Sequence, residues 1–437
     1  MTRFEEPFPG EKHAPRKANK PWQSAASGIL LGTALIFVLT DSYISFLPRE
    51  TLLSLIIGVI AVFSVLTAVL ELRSGSADPT GTYGFIKEVL PPPASFIGGW
   101  SMLLGTSAII ALLAIETTRQ IQFTLVVEVN VLLFSLALIC GMILLELLPR
   151  SPLRRIHGSF PVLLFILFLV LLVQAWTGFR PDTSYDPPGM INMDTSMQAA
   201  AFLMVLFLPF EMLLSSRAAR ATSRTFVKPM ILLGTGLLVS AAAGLILTAM
   251  VQTLQAQHLQ LGTILQLYSP SRLLSSIIPL LILLISLRYA ILTTARQLHA
   301  LSRAGMLPPA LRRIRQPFDM PVLLFTAVSL LASGWLLLES NLILQAGTSL
   351  IIVSLLFLNT AVMRSRIKEP ERRRTYHTPL FPVIPALSTL VLGALLLRRG
   401  GGLPLDLILL AAGAAVYYFY SRHHSLAAGE GSIRFSS

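Results

Sequence analysis

About twelve apolar runs, separated by short polar connections, set the pattern of this chain. They are long enough for helices that cross roughly 30 Å of hydrocarbon. The pattern predicts membrane helices near Ala25–Phe46, Leu52–Leu72, Phe96–Thr117, Phe123–Leu147, Phe160–Trp176, Met197–Ser216, Pro229–Gln252, Leu273–Thr294, Pro321–Leu338, Leu342–Met363, Leu380–Leu397 and Leu403–Tyr420. The alternation of a β-barrel is absent, so each helix closes its own backbone hydrogen bonds. The expected fold is an all-α membrane protein of about 12 transmembrane helices. Residues 1–24 read as a basic cytoplasmic tail, 25–420 as one transmembrane domain and 421–437 as a cytoplasmic tail. The outer loop Thr177–Thr195 reads as solvated, and the basic inner segment Arg296–Met320 as an amphipathic interfacial stretch.

Charge then fixes an orientation. With the N-terminus inside, 27 of the 34 Lys and Arg residues fall on the cytoplasmic side and 6 on the other. That is a positive-inside signal. It also disposes of the nucleic-acid reading that a formal charge of +13 invites. The expected partners are a small-molecule solute and the bilayer, with anionic lipid near the basic face. The expected location is an inner or plasma membrane. Charged residues are only 13% of the chain and hydrophobic residues 54%, which a soluble domain could not sustain.

The remaining position, Arg288, lies inside the eighth predicted helix. It is about nine residues, or roughly 13 Å, from the inner end. A charge there is costly unless it faces the bundle interior or a watery cavity. Three readings stand: a structural ion pair, a transport role, or snorkelling to the headgroups. Ser286, Tyr289 and Thr293 recur beside it at helical spacing, either lining a cavity or bonding between helices. Glu211, late in helix six, is the expected acidic partner. Without a cation it could bind and release a proton; alternatively it caps an inner basic cluster. Glu128 reads as a second intramembrane acid of helix four or, if that helix starts later, as an outer-edge residue; Asp41 and Ser42 read as interfacial or an outer gate. Glu71 and Glu146 read as inner anchors near arginines.

Helix one carries Gly28, Gly32 and Thr33, and helix six carries Pro209. Glycine allows close approach and proline removes a helical donor. Interruptions one five-helix unit apart point to an inverted-repeat transporter with a midplane site; packing or a kink explains them equally. No enzyme constellation is present. The histidines lack metal-ligand spacing, Cys140 is alone, and no Gly-Lys pair allows a nucleotide loop. No metal or other cofactor is expected.

Several stretches resemble the amino acid–polyamine–organocation permease superfamily. The fullest runs from Thr294-Ala295-Arg296 to Ala304-Gly305-Met306-Leu307-Pro308, like that family's segment after helix eight. Glu71-Leu72 with Gly81-Thr82-Tyr83-Gly84 is similar to its inner loop after helix two, and Gly98-Gly99-Trp100 to the start of helix three. Tyr376-His377-Thr378-Pro379 to Pro385 resembles its proline-rich approach to helix eleven. Phe210-Glu211 looks like the end of its sixth-helix motif.

The resemblance implies a 5+5 inverted repeat (LeuT-like) plus two C-terminal helices. It also implies alternating access for amino acids or related amines, proton-coupled or by exchange. Substrate would meet unwound parts of helices one and six, at Gly28, Gly32, Thr33, Ala34, Phe207, Pro209 and Phe210. Arg288, Glu211, Ser286, Tyr289 and Thr293 would serve coupling or an ion pair. The chain departs from the family at Gly32-Thr33-Ala34 and Leu208-Pro209, where small residues and glycines are usual. A non-transporting sensor or membrane subunit on the same fold is the second expectation.

Overall fold

The computed structural model describes residues 21–43, 48–76, 81–148, 159–178, 192–215, 223–252, 265, 271–312, 322–371, 374, 376–398 and 403–421. Both tails beyond these limits, most of the outer loop 177–195, and residues 313–320 of the basic inner segment lie outside them. Among the described residues there is no strand.

Seven described helices are long and apolar enough to span a membrane. Five shorter apolar helices occupy the other predicted positions: Val131–Leu147, Ser159–Ala175, Lys228–Ala242, Val322–Trp335 and Val383–Arg398. In chain order the elements are α1 Pro21–Tyr43, α2 Pro48–Gly75, α3 Thr82–Val89, α4 Pro92–Leu125, α5 Val131–Leu147, α6 Ser159–Gly178 and α7 Met193–Phe202. A 3-10 segment, Leu203–Phe207, joins α7 to α8 Leu208–Leu214. Then come α9 Ser223–Gln252, α10 Arg272–Arg303, α11 Val322–Trp335, α12 Ser340–Lys368, α13 Val383–Arg398 and α14 Leu403–Val416.

The packing shows an internal exchange between two groups of five. α1 packs on α9 as α7 packs on α2. α4 packs on α12 as α10 packs on α6, and α4 on α5 as α10 on α11. The unit made of α7, the 3-10 segment and α8 therefore stands to α9–α12 as α1 stands to α2 and α4–α6. α13 and α14 lie outside this exchange.

At the centre is α4, buried along most of its length. It crosses α12 closely because both offer glycine: a Cβ on Gly105 would lie 3.0 Å from the Gly347 carbonyl oxygen. Small residues of this kind let membrane helices meet backbone to backbone where no hydrophobic drive exists. The lipid-facing side of α2 carries Leu52, Ile56, Ile60 and Phe63, all exposed.

Three expected boundaries shift. α4 continues to Leu125 and stops where Val126 turns left-handed, at φ 54°. Asn130 then caps α5 by accepting from Leu133 N. Glu128 consequently sits exposed in the connection, not in a helix. The basic segment after helix eight does not lie on the interface over its first two turns. α10 runs on to Arg303 because Leu298 and Leu301 are buried, Leu301 beside Gly99 of α4. The short helix α3 was not foreseen; its burial of Tyr83, Phe85 and Ile86 holds it against the bundle.

α1 runs without a break through Gly28, Gly32 and Thr33. The expected interruption of helix one is therefore corrected. Its glycines serve as notches: Leu233 fills the space at Gly28 and Leu237 that at Gly32, while Ile29 and Ile36 fill notches at Gly236 and Gly244. Thr33 Oγ1 turns back to Ile29 O at 2.9 Å, keeping the helix closed. A Cβ at Gly32 would lie 1.8 Å from Leu237 Cδ2. Gly32→Ala is expected to cost about 1–3 kcal/mol through overpacking, read as a lower melting midpoint in detergent. In a Leu237→Ala background, with the clashing side chain gone, the further cost of Gly32→Ala should shrink towards zero; a Gly32→Ala protein that melts like the parent would show the notch to be loose.

Candidate functional site

Helix six departs from α-geometry where Pro209 dictates. Proline has no N–H to give the carbonyl four residues earlier. That carbonyl, Val205 O, instead receives the N–H of Leu208, an i to i−3 bond that extends the 3-10 segment. The expected unwound loop is thus a tightened turn. Residues Leu203–Leu214 are all buried. Pro209 faces α1 directly: a Cβ on Gly28 would lie 3.3 Å from Pro209 O, and one on Gly32 3.4 Å from Pro209 Cγ. Helices one and six are in contact at this level.

Around that contact, polar groups come from three other helices. Ser27 donates to Tyr289 Oη of α10 at 3.0 Å. Ser286 donates to the Leu30 carbonyl of α1 at 3.2 Å. Thr33 and Ser240 of α9 share a hydrogen bond of 3.2 Å. Thr293 bonds back to Tyr289 O. Ala34 is fully buried, and the rings of Phe207 and Phe210 lie 6.1 Å apart. One turn beyond Thr293, Gln297 accepts from Thr106 of α4 at 2.8 Å.

Glu211 is fully buried, and its carboxylate sits on the first turn of α3. Thr82 N lies 3.2 and 3.1 Å from its two oxygens, and the Thr82 hydroxyl donates as well. A helix N-terminus offers such orphan donors to an anion. Gly81 makes the approach possible twice over. Its φ is 83°, and a Cβ there would lie 2.3 Å from Glu211 Oε1. Helix six is thereby fastened to the segment that follows helix two.

Arg288 is elsewhere. Its partner is Glu146 of α5, not Glu211. At about 100° per residue, Arg288 lies roughly 160° around α10 from Ser286. It faces away from α1, towards the helices that brace α10. Both side chains are buried, at 2% and 6% exposure, and Arg288 Nη1 has no hydrogen-bond partner among the described residues. Glu146 had been legible only as an inner anchor, because its pairing depends on where short α5 ends against long α10.

A second fastening surrounds Glu71 near the end of α2. Arg366 of α12 holds it in a fork, Nε to Oε1 at 2.6 Å and Nη2 to Oε2 at 2.9 Å. Thr378 N adds a bond of 2.9 Å, and the Arg366 guanidinium lies 4.1 Å from the centre of the Phe381 ring. This is the planar pairing and stacking that arginine performs and lysine does not. The resembling stretches thus meet in pairs: Glu71 with Tyr376–Pro385 through Thr378, and Gly81-Thr82 with Phe210-Glu211. Asp41 and Ser42 fall in the last turn of α1.

Sequence reasoning missed Thr82, Thr106 and Gln297. The usable signal for Gln297 was its place one turn after Thr293 on the Ser286–Tyr289 face. For Thr82 it was the position directly after Gly81. Among the described residues no three His, Cys, Asp or Glu side chains gather as a metal ion would require.

Comparison with known proteins follows the same line. Among solved structures, the manganese transporter of Eremococcus coleocola shares the fold. One single-site variant superposes with a TM-score of 0.59 at 13% identity, covering 91% of this chain and 94% of that one. A second variant gives 0.57 at 14% identity with the same coverage. Its complex with an aromatic bis-isothiourea compound gives 0.53 at 13%. No curated protein matches the sequence significantly. The family described as amino acid permease matches residues 24–406. With that match over most of its length, and a fold shared with solved transporters, the chain belongs to the amino acid permease family of the amino acid–polyamine–organocation superfamily.

Proposed function

We propose that this membrane transporter carries an amino acid, an amine or a related small organic solute by alternating access, coupled to protons or by exchange. The observation that carries the reading is the Glu211 carboxylate, seated on helix six and holding the inner segment at Gly81–Thr82. Substrate would enter between α1 and helix six, against α4 and α10. There Ser27, Tyr289, Thr106 and Gln297 supply neutral donors and acceptors. Glu211 is the carboxylate within reach of that group, so a positively charged amine end has a natural direction in which to lie. Protonation of Glu211 would weaken its hold on the Thr82 N–H and hydroxyl and free the segment that α3 begins. Both termini would then lie on the basic, cytoplasmic face of an inner or plasma membrane, in contact with anionic lipid.

Manganese is named for the structural neighbours; the organic-solute reading here rests instead on the amino acid permease family match. Uptake of labelled amino acids and amines into proteoliposomes, with and without an imposed pH gradient, tests the proposal. Accumulation or counterflow of at least one of them above protein-free vesicles is expected. Absence of both from correctly reconstituted protein would refute it. The unbroken α1 is also what a non-transporting sensor on this fold would show; ligand-induced thermal stabilisation without any flux would decide for that reading.

A further inference from the structure

An apolar crevice opens on the bilayer-facing side between α2, helix six and α9. Leu55, Gly58, Val59, Val62 and Phe63 form one wall; Leu203, Leu206 and Phe210 form its floor; Gly234, Leu237, Leu238 and Ala241 close the other side. It is open along that side and leaves room of about 30 Å³, more than the ~10–15 Å³ that admits a water. Its lining offers water no partner, and an apolar void of this kind stays dry. Left empty, its walls lose dispersion contacts on one side.

We infer that this crevice seats the acyl chain of a bilayer phospholipid. The crevice is continuous with the exposed lipid-facing stripe of Ile56, Ile60 and Phe63 on α2 and of Leu238 and Val239 on α9. Hydrocarbon is therefore the medium at its mouth. None of its lining residues is charged, so nothing there would hold a carboxylate or a headgroup; the ligand's polar end must lie remote from it. Val59 and Val62 fall near the middle of α2, the depth that the far end of a phospholipid chain reaches.

Its position gives occupancy a consequence. Leu237 lines the crevice and also fills the notch at Gly32 of α1; Leu203 lines it and fills the notch at Gly58 of α2. A chain in the crevice leaves neither leucine room to withdraw. It therefore pins α9 to helix one and helix six to helix two, and under the transport reading given above it holds the closed arrangement.

The binding claim is tested without transport. The full chain is reconstituted in vesicles containing a phospholipid with a diazirine near the end of one acyl chain. After irradiation, adducts are mapped by peptide mass spectrometry. Labelling at Val59, Val62, Leu238 and Ala241 is expected to exceed that on the exposed stripe Leu387 and Leu390 of α13. In Gly234→Phe or Val59→Phe, which fill the space, it should fall to the level of that stripe, whose own labelling stays constant. Wild-type crevice labelling equal to the stripe, labelling unaffected by both variants, or labelling by a free diazirine fatty acid but not by the phospholipid would each overturn the inference.

Discussion

Replacing Arg288 with alanine is expected to lower the stability of the folded protein by about 3–5 kcal/mol, because it leaves Glu146 buried without its counter-charge. Glu146→Gln should do comparable harm by stranding the guanidinium. The pair joins α10 to α5 on the side away from helix one, so the loss is structural. The double variant Arg288→Met/Glu146→Leu is the discriminating case. Buried ion pairs are often replaceable by apolar residues of similar size at little cost. We expect this protein to recover most of its melting midpoint in detergent and to keep its transport per folded molecule. A double variant that is stable yet inert would return Arg288 to the transport path.

That expectation reverses the weight the sequence places on this residue. A lone arginine in an apolar run signals a buried interior, and Arg288 is indeed buried. What the run cannot tell is which way the residue faces, since the direction depends on the tilt and length of neighbouring helices. α5 begins only at Val131, after a left-handed turn at Val126 and an asparagine cap at Asn130. The left-handed turn at Val126 leaves no mark on the apolar pattern, which places a start at Phe123. The span positions were legible because lipid demands continuous apolar surface. The breaks were not, because glycine serves a notch as readily as an unwound turn. At Gly28 and Gly32 it accepts leucine side chains from α9, and the helix continues. At Pro209 the missing N–H was readable, but its accommodation by the Leu208 to Val205 bond needed coordinates. The grouping of Glu211 with Gly81–Thr82 joins residues 129 positions apart. Only the resemblance of both stretches to one family hinted that they belong together.

The largest functional effect is expected at Glu211, where two substitutions separate holding from coupling. Glu211→Ala removes the acceptor for Thr82 N and the Thr82 hydroxyl inside a fully buried site. Unsatisfied buried donors cost about 1–3 kcal/mol each, so α3 should loosen and the protein should melt earlier. Hydrogen exchange at Thr82–Val89 would register it as lost protection. Glu211→Gln keeps one acceptor oxygen and nearly the same volume, but it cannot exchange a proton. Its fold should stay close to the parent, while hydrogen exchange at Thr82–Val89 should quicken, though less than in Glu211→Ala, because a neutral amide oxygen still receives the Thr82 N–H but holds it more weakly than a carboxylate. Proton-driven accumulation of substrate should nevertheless fall to the vesicle background, while counterflow at equal pH on both sides persists. The logic is one of linkage: a gradient can drive only a step that changes the protonation of a group the cycle uses. If the glutamine variant still concentrates substrate against its gradient when protons are the sole driving force, Glu211 is a fastening and the coupling group lies elsewhere in the bundle.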